Sequence, residues 1–219
     1  MQTVQESVIL PFEASGEYYF DQVEPKRKTV YEFVKRVFDI VASLGAGILF
    51  SIPMLVIALL IRVTSEGSAI YRQERLGKNG VPFMIMKFRS MVIDAEEQGA
   101  QWAHGERDPR TTPIGRFLRA THLDELPQLW SILLGQMSFV GPRPEREVFY
   151  DEFERYIHGF HERLKVFPGL TGYAQVNGGY ELRPEEKLKY DLEYISRRSL
   201  SLDLWCIFKT FALFFGGGK

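Results

Sequence analysis

The sequence predicts an α+β protein, mostly helical, built from a bent apolar helix, one small β-hairpin and several amphipathic helices. Three observations predict it. Ile40 to Ile61 is a run of 22 residues without a charge. Gly77-Lys78-Asn79-Gly80 separates two short apolar runs. Apolar residues then recur at helical spacing through much of the second half of the chain.

The 219 residues are 45% hydrophobic and 25% charged, which fits one domain with a sizeable core and excludes wholesale disorder. A net charge of −1 excludes a dedicated nucleic-acid binder, so no nucleic-acid partner is expected. The single cysteine, Cys206, excludes an intrachain disulfide and reads as a packed apolar residue. Residues 1–25 carry Glu6, Glu13, Glu17, Asp21 and Glu24 and no basic residue, the wrong charge for a signal peptide. A weakly ordered tail is expected there.

As a straight helix the apolar run would measure roughly 33 Å, enough to cross a hydrocarbon core of about 30 Å. Pro53 removes a backbone hydrogen bond inside it, and Ser51 can satisfy a freed carbonyl. Lys26, Arg27, Lys28, Lys35 and Arg36 precede the run, and Arg62, Arg72 and Arg75 follow it. With basic residues marking one membrane face, both ends prefer the same side. Span length and charge leave three readings level: a re-entrant helix, a kinked transmembrane helix and a buried core helix.

Tyr71–Leu76 and Val81–Phe88 around Asn79-Gly80 predict a hairpin. Ser90 to Gln98 reads as helix, and Gly99 to Arg110 as loop. Thr112-Pro113 predicts a helix start, with Ile114, Phe117 and Leu118 on one face. A second helix is expected from near Asp124 to Gly135, with Pro127 in its first turn. Gly141-Pro142-Arg143-Pro144 predicts a rigid loop. Phe149, Phe153, Ile157, Phe160 and Leu164 predict one long amphipathic helix. Pro168–Gly179 reads as a glycine-rich loop with a short strand, and Pro184–Ser196 as helix. Leu204, Ile207, Phe208, Phe211 and Phe215 form a last apolar stripe that suits either core packing or an interfacial anchor, the aromatics clustered near its end favouring the anchor.

The candidate chemistry centres on Asp124-Glu125. Spacing alone favours a helix-capping role, since acids in a first turn stabilise a helix by roughly 0.3–1 kcal/mol, and Thr121-x-x-Asp124 resembles a capping box. The surrounding cations shift the balance: Arg119 upstream, Arg143 between two prolines downstream, and Lys87 and Arg89 at the end of the hairpin. Cations at a helix N-terminus make a phosphate site, and two carboxylates there offer oxygen ligands for Mg²⁺. One acid can attack phosphorus while the other holds the metal. Adjacent helical side chains cannot face each other across a sugar at about 5–9 Å, which argues against a glycosidase. His104, His122, His158 and His161 lack zinc-protease spacing and read as surface or packing residues.

Five motifs run in order along the chain: Lys35–Asp39 (KRVFD), Lys87–Met91 (KFRSM), Leu123–Leu129 (LDELPQL), Gly135–Pro144 (GQMSFVGPRP) and Pro168–Gly178 (PGLTGYAQVNG). Through them the chain, from about Val34 to Phe215, resembles the monotopic phosphoglycosyl transferases, bacterial sugar transferases that start glycan assembly on polyprenyl phosphate. The resemblance implies a re-entrant helix broken at Ser51 and Pro53 and an active site on the cytoplasmic face of the bacterial inner membrane. It also implies Mg²⁺, a UDP-sugar donor and a polyprenyl phosphate acceptor. Asp124 becomes the nucleophile of a phosphosugar-aspartyl intermediate, and Glu125 the metal ligand and partner acid. Arg119, Arg143 and Asp191 look like phosphate- or metal-proximal positions. A weakly ordered tail at 1–29, a helix-break-helix at 30–63, a catalytic domain at 64–199 and an amphipathic helix at 200–219 complete the expectation, with membrane lipid as a partner and a homodimer among the oligomeric states. Three departures stand out: Ile52 separates Ser51 from Pro53, Gly179 stands where the family often has Arg (Arg183 being the nearest substitute), and His122 replaces a commoner Ser or Arg. The rival from another class is a catalytically silent membrane scaffold.

Overall fold

The computed structural model describes residues 8–26, 28–97, 99–102, 108–178 and 182–215. Arg27, His104 and Gly179 lie outside the described residues. Among the described residues the fold is mostly helical with four two-stranded sheets.

Within the described part of the tail, residues 8–26, two short strands pair with the rest of the fold. Strand β1 (Val8–Ile9) pairs in parallel with β5 (Ala100–Gln101), and β2 (Tyr18–Tyr19) with β7 (Ile157–His158). Val8, Leu10, Phe12, Tyr18, Phe20 and Val23 pack on the main core, so apolar residues hidden among the acids hold residues 8–26 in place.

Helix α1 (Thr29–Leu49) and α2 (Ser51–Thr64) are bent by 60° about Phe50. The break falls three residues before Pro53, which therefore sits in the first turn of α2, where its missing N–H is tolerated. Ser51 Oγ donates to the carbonyl of Ile48 at 2.7 Å, filling an acceptor at the end of α1. Among the described residues no single helix is long and apolar enough to cross a membrane, but the bent pair together meets that length and composition. Much of its apolar surface is exposed, including Val30, Phe33, Val41, Ile48, Leu49, Ile52, Leu55 and Val63.

The hairpin is β3 (Ile70–Leu76) against β4 (Pro82–Phe88), turned by Asn79 and Gly80 at positive φ. Helix α3 (Pro113–Ala120) starts as read, with Thr112 Oγ1 accepting from the N–H of Gly115 at 3.0 Å. Leu118 is buried, but Phe117 is 60% exposed and leaves the predicted face. The helix expected at 90–98 is absent from its described part. Ser90 and Val92 instead exchange backbone hydrogen bonds with Thr112 and Arg110, and this pairing takes the groups a helix would need.

Three further expectations are corrected. The helix at Asp124 is a 3₁₀-helix (Leu123–Gln128) that turns into a short α4 (Leu129–Leu133). The long amphipathic helix is three pieces: α5 (Glu147–Glu154), β7 and a 3₁₀-helix (Phe160–Lys165). Gly159 at φ 102 breaks it, while Glu154 accepts from the N–H groups of Gly159 and His161. The segment after Pro168 holds the expected short strand, β8 (Gly169–Thr171), but continues into a helix, α6 (Tyr173–Gly178), where loop was expected. The chain closes with α7 (Pro184–Arg197) and α8 (Leu200–Phe215).

The motif Lys35–Asp39 ties α1 to the rest. Arg36 donates to the carbonyls of Ile132 and Leu133, both at 2.7 Å, capping the C-terminus of α4. Asp39 Oδ1 accepts from Ser138 Oγ and the N–H of Phe139. Lys35 pairs with Asp203 of α8 at 2.8 Å and donates to Val140 O. These bonds fix β6 (Ser138–Val140), which pairs in parallel with β8. The two strands approach so closely that a Cβ on Gly141 would lie 2.2 Å from the carbonyl oxygen of Phe167. That glycine contact sets the path of the Pro142-Arg143-Pro144 loop.

Candidate active site

Asp124 and Glu125 are presented by a short turn wedged between the hairpin and α3. His122 enters it at φ 52, and its ring packs against Phe214 of α8 at 4.8 Å. Thr121 does not cap the turn, because its hydroxyl donates back to Phe117 and Leu118. Leu123 and Leu126 pack with Ile57, Ile61, Phe88 and Leu118. With about three residues per 3₁₀ turn, anchoring Leu123 and Leu126 leaves the two intervening acids on the other sides.

The two acids have different surroundings. Glu125 is enclosed by cations. Lys87 Nζ lies 2.9 Å from Oε1, and Arg143 reaches both carboxylate oxygens through Nη1 and Nη2. Burial alone would raise the Glu125 carboxyl, but Arg143 and Lys87 outweigh it and hold the group ionised well below its ordinary range. Asp124 is also buried, yet among the described residues its carboxylate makes no hydrogen bond or ion pair. Burial first, then the neighbouring Glu125 charge, push its carboxyl up to about 6, opposed by Lys87, Arg143 and Arg119. One acid is thus committed to holding cations, and the other has oxygens available to a substrate.

The structure therefore brings Lys87 and Arg143 to the dyad and places Arg119 within electrostatic reach of Asp124. It sends Arg89 elsewhere: its Nη2 donates to the carbonyl and hydroxyl of Ser65, closing the C-terminal end of α2. Asp191 is also apart from the dyad. It is buried in an ion pair with Arg163 at 2.7 Å, and among the described residues no three His, Cys, Asp or Glu side chains are grouped to hold a metal. Asp191 still bears on the site indirectly, because Arg163 Nη2 donates to the carbonyl of Arg143 at 2.9 Å. Arg183, the substitute weighed for Gly179, is held by Glu185 and the carbonyl of Glu13.

Sequence reasoning missed a cluster next to the dyad. Arg75 pairs with Glu145 at 2.8 Å, and Arg146 pairs with Glu96 at 3.1 Å. Lys187 of α7 lies in the field of Glu145, Arg163, Arg143 and Asp191. The available signals were weak: Glu145 directly follows the Pro142-Arg143-Pro144 loop, and Lys187 stands one helical turn before Asp191.

A profile of the bacterial sugar transferase family matches residues 30–217, almost the whole described chain. The chain belongs to the bacterial sugar transferase family. It is 43% identical over 184 residues to the UDP-N-acetylgalactosamine-undecaprenyl-phosphate N-acetylgalactosaminephosphotransferase of Aeromonas hydrophila, covering 83% of this chain and 43% of that protein. It is 39% identical over 186 residues to the UDP-glucose:undecaprenyl-phosphate glucose-1-phosphate transferase of Escherichia coli, covering 83% of this chain and 40% of the relative. The exopolysaccharide production protein ExoY of Rhizobium meliloti is 35% identical over 211 residues, covering 90% of this chain and 92% of that one. The chain thus spans less than half of the Aeromonas and Escherichia transferases but nearly all of the Rhizobium protein. In this bacterial sugar transferase the dyad, Lys87 and Arg143 all fall inside the matched region.

Proposed function

We propose that this chain transfers a sugar 1-phosphate from a UDP-sugar to polyprenyl phosphate, giving polyprenyl-diphospho-sugar and UMP. The observation that carries the reading is the division, in a bacterial sugar transferase, between a Glu125 held by two cations and an equally buried Asp124 with no ion pair or hydrogen bond to its carboxylate among the described residues. The names of the Aeromonas and Escherichia relatives supply the substrate classes, and that of the Rhizobium relative supplies exopolysaccharide as the glycan class.

In this route an Asp124 oxygen attacks the sugar-bearing phosphorus, and the bond from that phosphorus to the UMP oxygen breaks. Lys87 and Arg143 offset the charge of the incoming diphosphate while keeping Glu125 ionised. A polyprenyl phosphate oxygen then attacks the same phosphorus, and the aspartyl oxygen leaves as carboxylate. Asp124, whose carboxylate has no partner among the described residues, has oxygens for a hard divalent cation, and Glu125 would join it by sharing oxygens already held by Lys87 and Arg143. Asp124 and Glu125 would hold Mg²⁺, which when bound neutralises phosphate charge.

The bent α1–α2 pair serves this reading as a re-entrant membrane helix, with both ends on the cytoplasmic face of the inner membrane. Its exposed apolar faces, the 60° bend and the exposed Phe208 and Phe211 of α8 support that placement. A lipid acceptor and a water-soluble donor meet at such an interface. A silent scaffold would not need an open acid beside two cations.

The test is label transfer from a UDP-sugar to the protein without acceptor lipid. Retention of label by the wild type and its loss in Asp124→Asn are expected, and full turnover by Asp124→Asn would sink the covalent route. Tags at both ends of the bent pair, probed in sealed vesicles, should label from one side; labelling from opposite sides eliminates the re-entrant placement. Release of UMP from a panel of UDP-sugars identifies the donor.

A further inference from the structure

We propose that Lys187 is a second anion-binding cation of the donor pocket, placed to take the nucleotide-side phosphate of a nucleoside diphosphate sugar. The inference rests on the phosphoglycosyl transfer proposed above and adds a residue to it.

The other cations near the dyad are committed. Lys87 and Arg143 hold Glu125, Arg75 holds Glu145, Arg146 holds Glu96, and Arg163 holds Asp191. Lys187 is different. Among the described residues its ammonium has no hydrogen bond or ion pair, and it rests 4.5 Å from the ring centroid of Trp102. Trp102 is a fixed platform, buried and packed edge-on against Phe149 and Phe153. The stem of Lys187 stands on α7, a helix of 14 residues, so its ammonium is positioned by regular structure.

Its neighbours link it to the chemistry. Arg143 binds Glu125 with its guanidinium and Arg163 with its carbonyl, and both arginines lie in the field of Lys187. The charged groups facing the ammonium are Glu145 and Arg143 from the loop before α5, Arg163 from the 3₁₀-helix at 160–165, and Asp191 from α7 itself. Burial lowers the Lys187 pKa to about 8; Glu145 opposes the shift, and Arg163 and Arg143 add to it. An anion brought beside the group relieves that penalty.

Two phosphates could use this cation, the donor diphosphate and the lipid phosphate. The donor is favoured by position. Lys187 sits with Trp102 at the main core, whereas the dyad's opposite flank, through Leu123 and Leu126, packs on the α2–α3 cluster beside the exposed apolar helices. The acceptor approaches from that apolar flank.

The test uses the full chain in nanodiscs, with UDP as the binding probe and separate KM values for donor and acceptor. Lys187→Met should weaken UDP binding and raise the donor KM by about tenfold, the size of one charge-assisted hydrogen bond, with the acceptor KM unmoved. Lys189→Met, exposed on the same helix, should match the wild type. Lys187→Arg should keep the affinity. It should also abolish the fall in UDP affinity that the wild type shows as pH rises through about 8, because guanidinium does not titrate there. A folded Lys187→Met that binds UDP normally overturns the proposal, as does a rise confined to the acceptor KM. Should Lys187→Met fail to fold, an unchanged pH profile in Lys187→Arg overturns it instead. A wild type that releases no UMP from any UDP-sugar defeats the transfer reading itself, a result distinct from these.

Discussion

Arg143 grips both carboxylate oxygens of Glu125, and this forked contact leaves Asp124 as the acid with open oxygens. A planar guanidinium can hold two oxygens at fixed geometry, and an ammonium cannot. Arg143→Lys should therefore keep the charge, lose the fork and release Glu125 toward Asp124. Activity is expected to fall about 10- to 100-fold, with the fold intact because Lys87 still pairs with Glu125. Initial rates of UMP release beside a thermal melt check it. A variant with wild-type rate would show that the fork is dispensable.

The clamp from α1 should matter at a distance. Asp39 is buried and accepts from Ser138 Oγ at 3.1 Å and from the N–H of Phe139 at 3.0 Å. Asp39→Ala leaves both donors without a buried partner, at a cost of about 1–3 kcal/mol for each orphaned group. It also loosens β6, which feeds the Arg143 loop. A lowered melting temperature together with a reduced rate is expected. Loss of stability at unchanged rate would separate the clamp from the site.

How much of this was legible in the sequence depends on range. The hairpin turned by Asn79-Gly80, the start of α3 at Thr112-Pro113 and the span of α7 are local signals, and they appear where residue chemistry put them. The break in the apolar helix was readable too, though it lies at Phe50 and not at Pro53, since proline is tolerated once the new helix has begun. Phe149 to Leu164 misled because burial, not helicity, set the spacing: Gly159 at positive φ divides a segment whose apolar residues all face the same core. The candidate site was half legible. Motifs pointed to Asp124, Glu125 and Arg143, which the structure brings together, but an arginine's partner is a tertiary fact. Nothing local says that Arg89 turns to Ser65, that Asp191 pairs with Arg163, or that Lys187 has no ion-pair partner among the described residues.

The close parallel pairing of β6 and β8 leaves no room for a side chain at its edge. A Cβ on Gly169 would lie 2.1 Å from the backbone nitrogen of Gly141 and 2.3 Å from the carbonyl of Thr171. Backbone atoms in a paired sheet cannot yield as a flexible side chain can. Gly169→Ala is expected to cost about 3 kcal/mol or more, through overpacking and lost strand pairing. Denaturant unfolding measures it. Gly45→Ala, where nothing lies within 4 Å of the added carbon, is the control and should be neutral or slightly stabilising.

Asp108 gives a pH signature. Its carboxylate accepts from Arg110 Nε at 2.8 Å, from Nη2 at 2.5 Å and from the Arg110 N–H at 3.1 Å, and its side chain is fully covered. The Arg110 hydrogen bonds, set against the cost of burial, draw its pKa down to about 2. The unfolded value is about 3.9. A carboxyl with a depressed folded pKa contributes stability that is complete above the unfolded value and is lost as pH falls through the folded one. The contribution is about 1–2 kcal/mol at neutral pH, discounted for the partial solvent access of Arg110. Asp108→Asn should therefore be less stable than the wild type by that margin from pH 5 to 8. The gap between the two unfolding curves should begin to close below about pH 4 and continue closing toward pH 2. The segment at stake carries Thr111, which bonds back to the Asp108 carbonyl, and Thr112, which caps α3 ahead of Arg119 and the dyad. Loss of the Asp108–Arg110 pair should thus lower activity along with stability, and a stability gap that stays constant down to pH 2 would assign the effect to packing and not to charge.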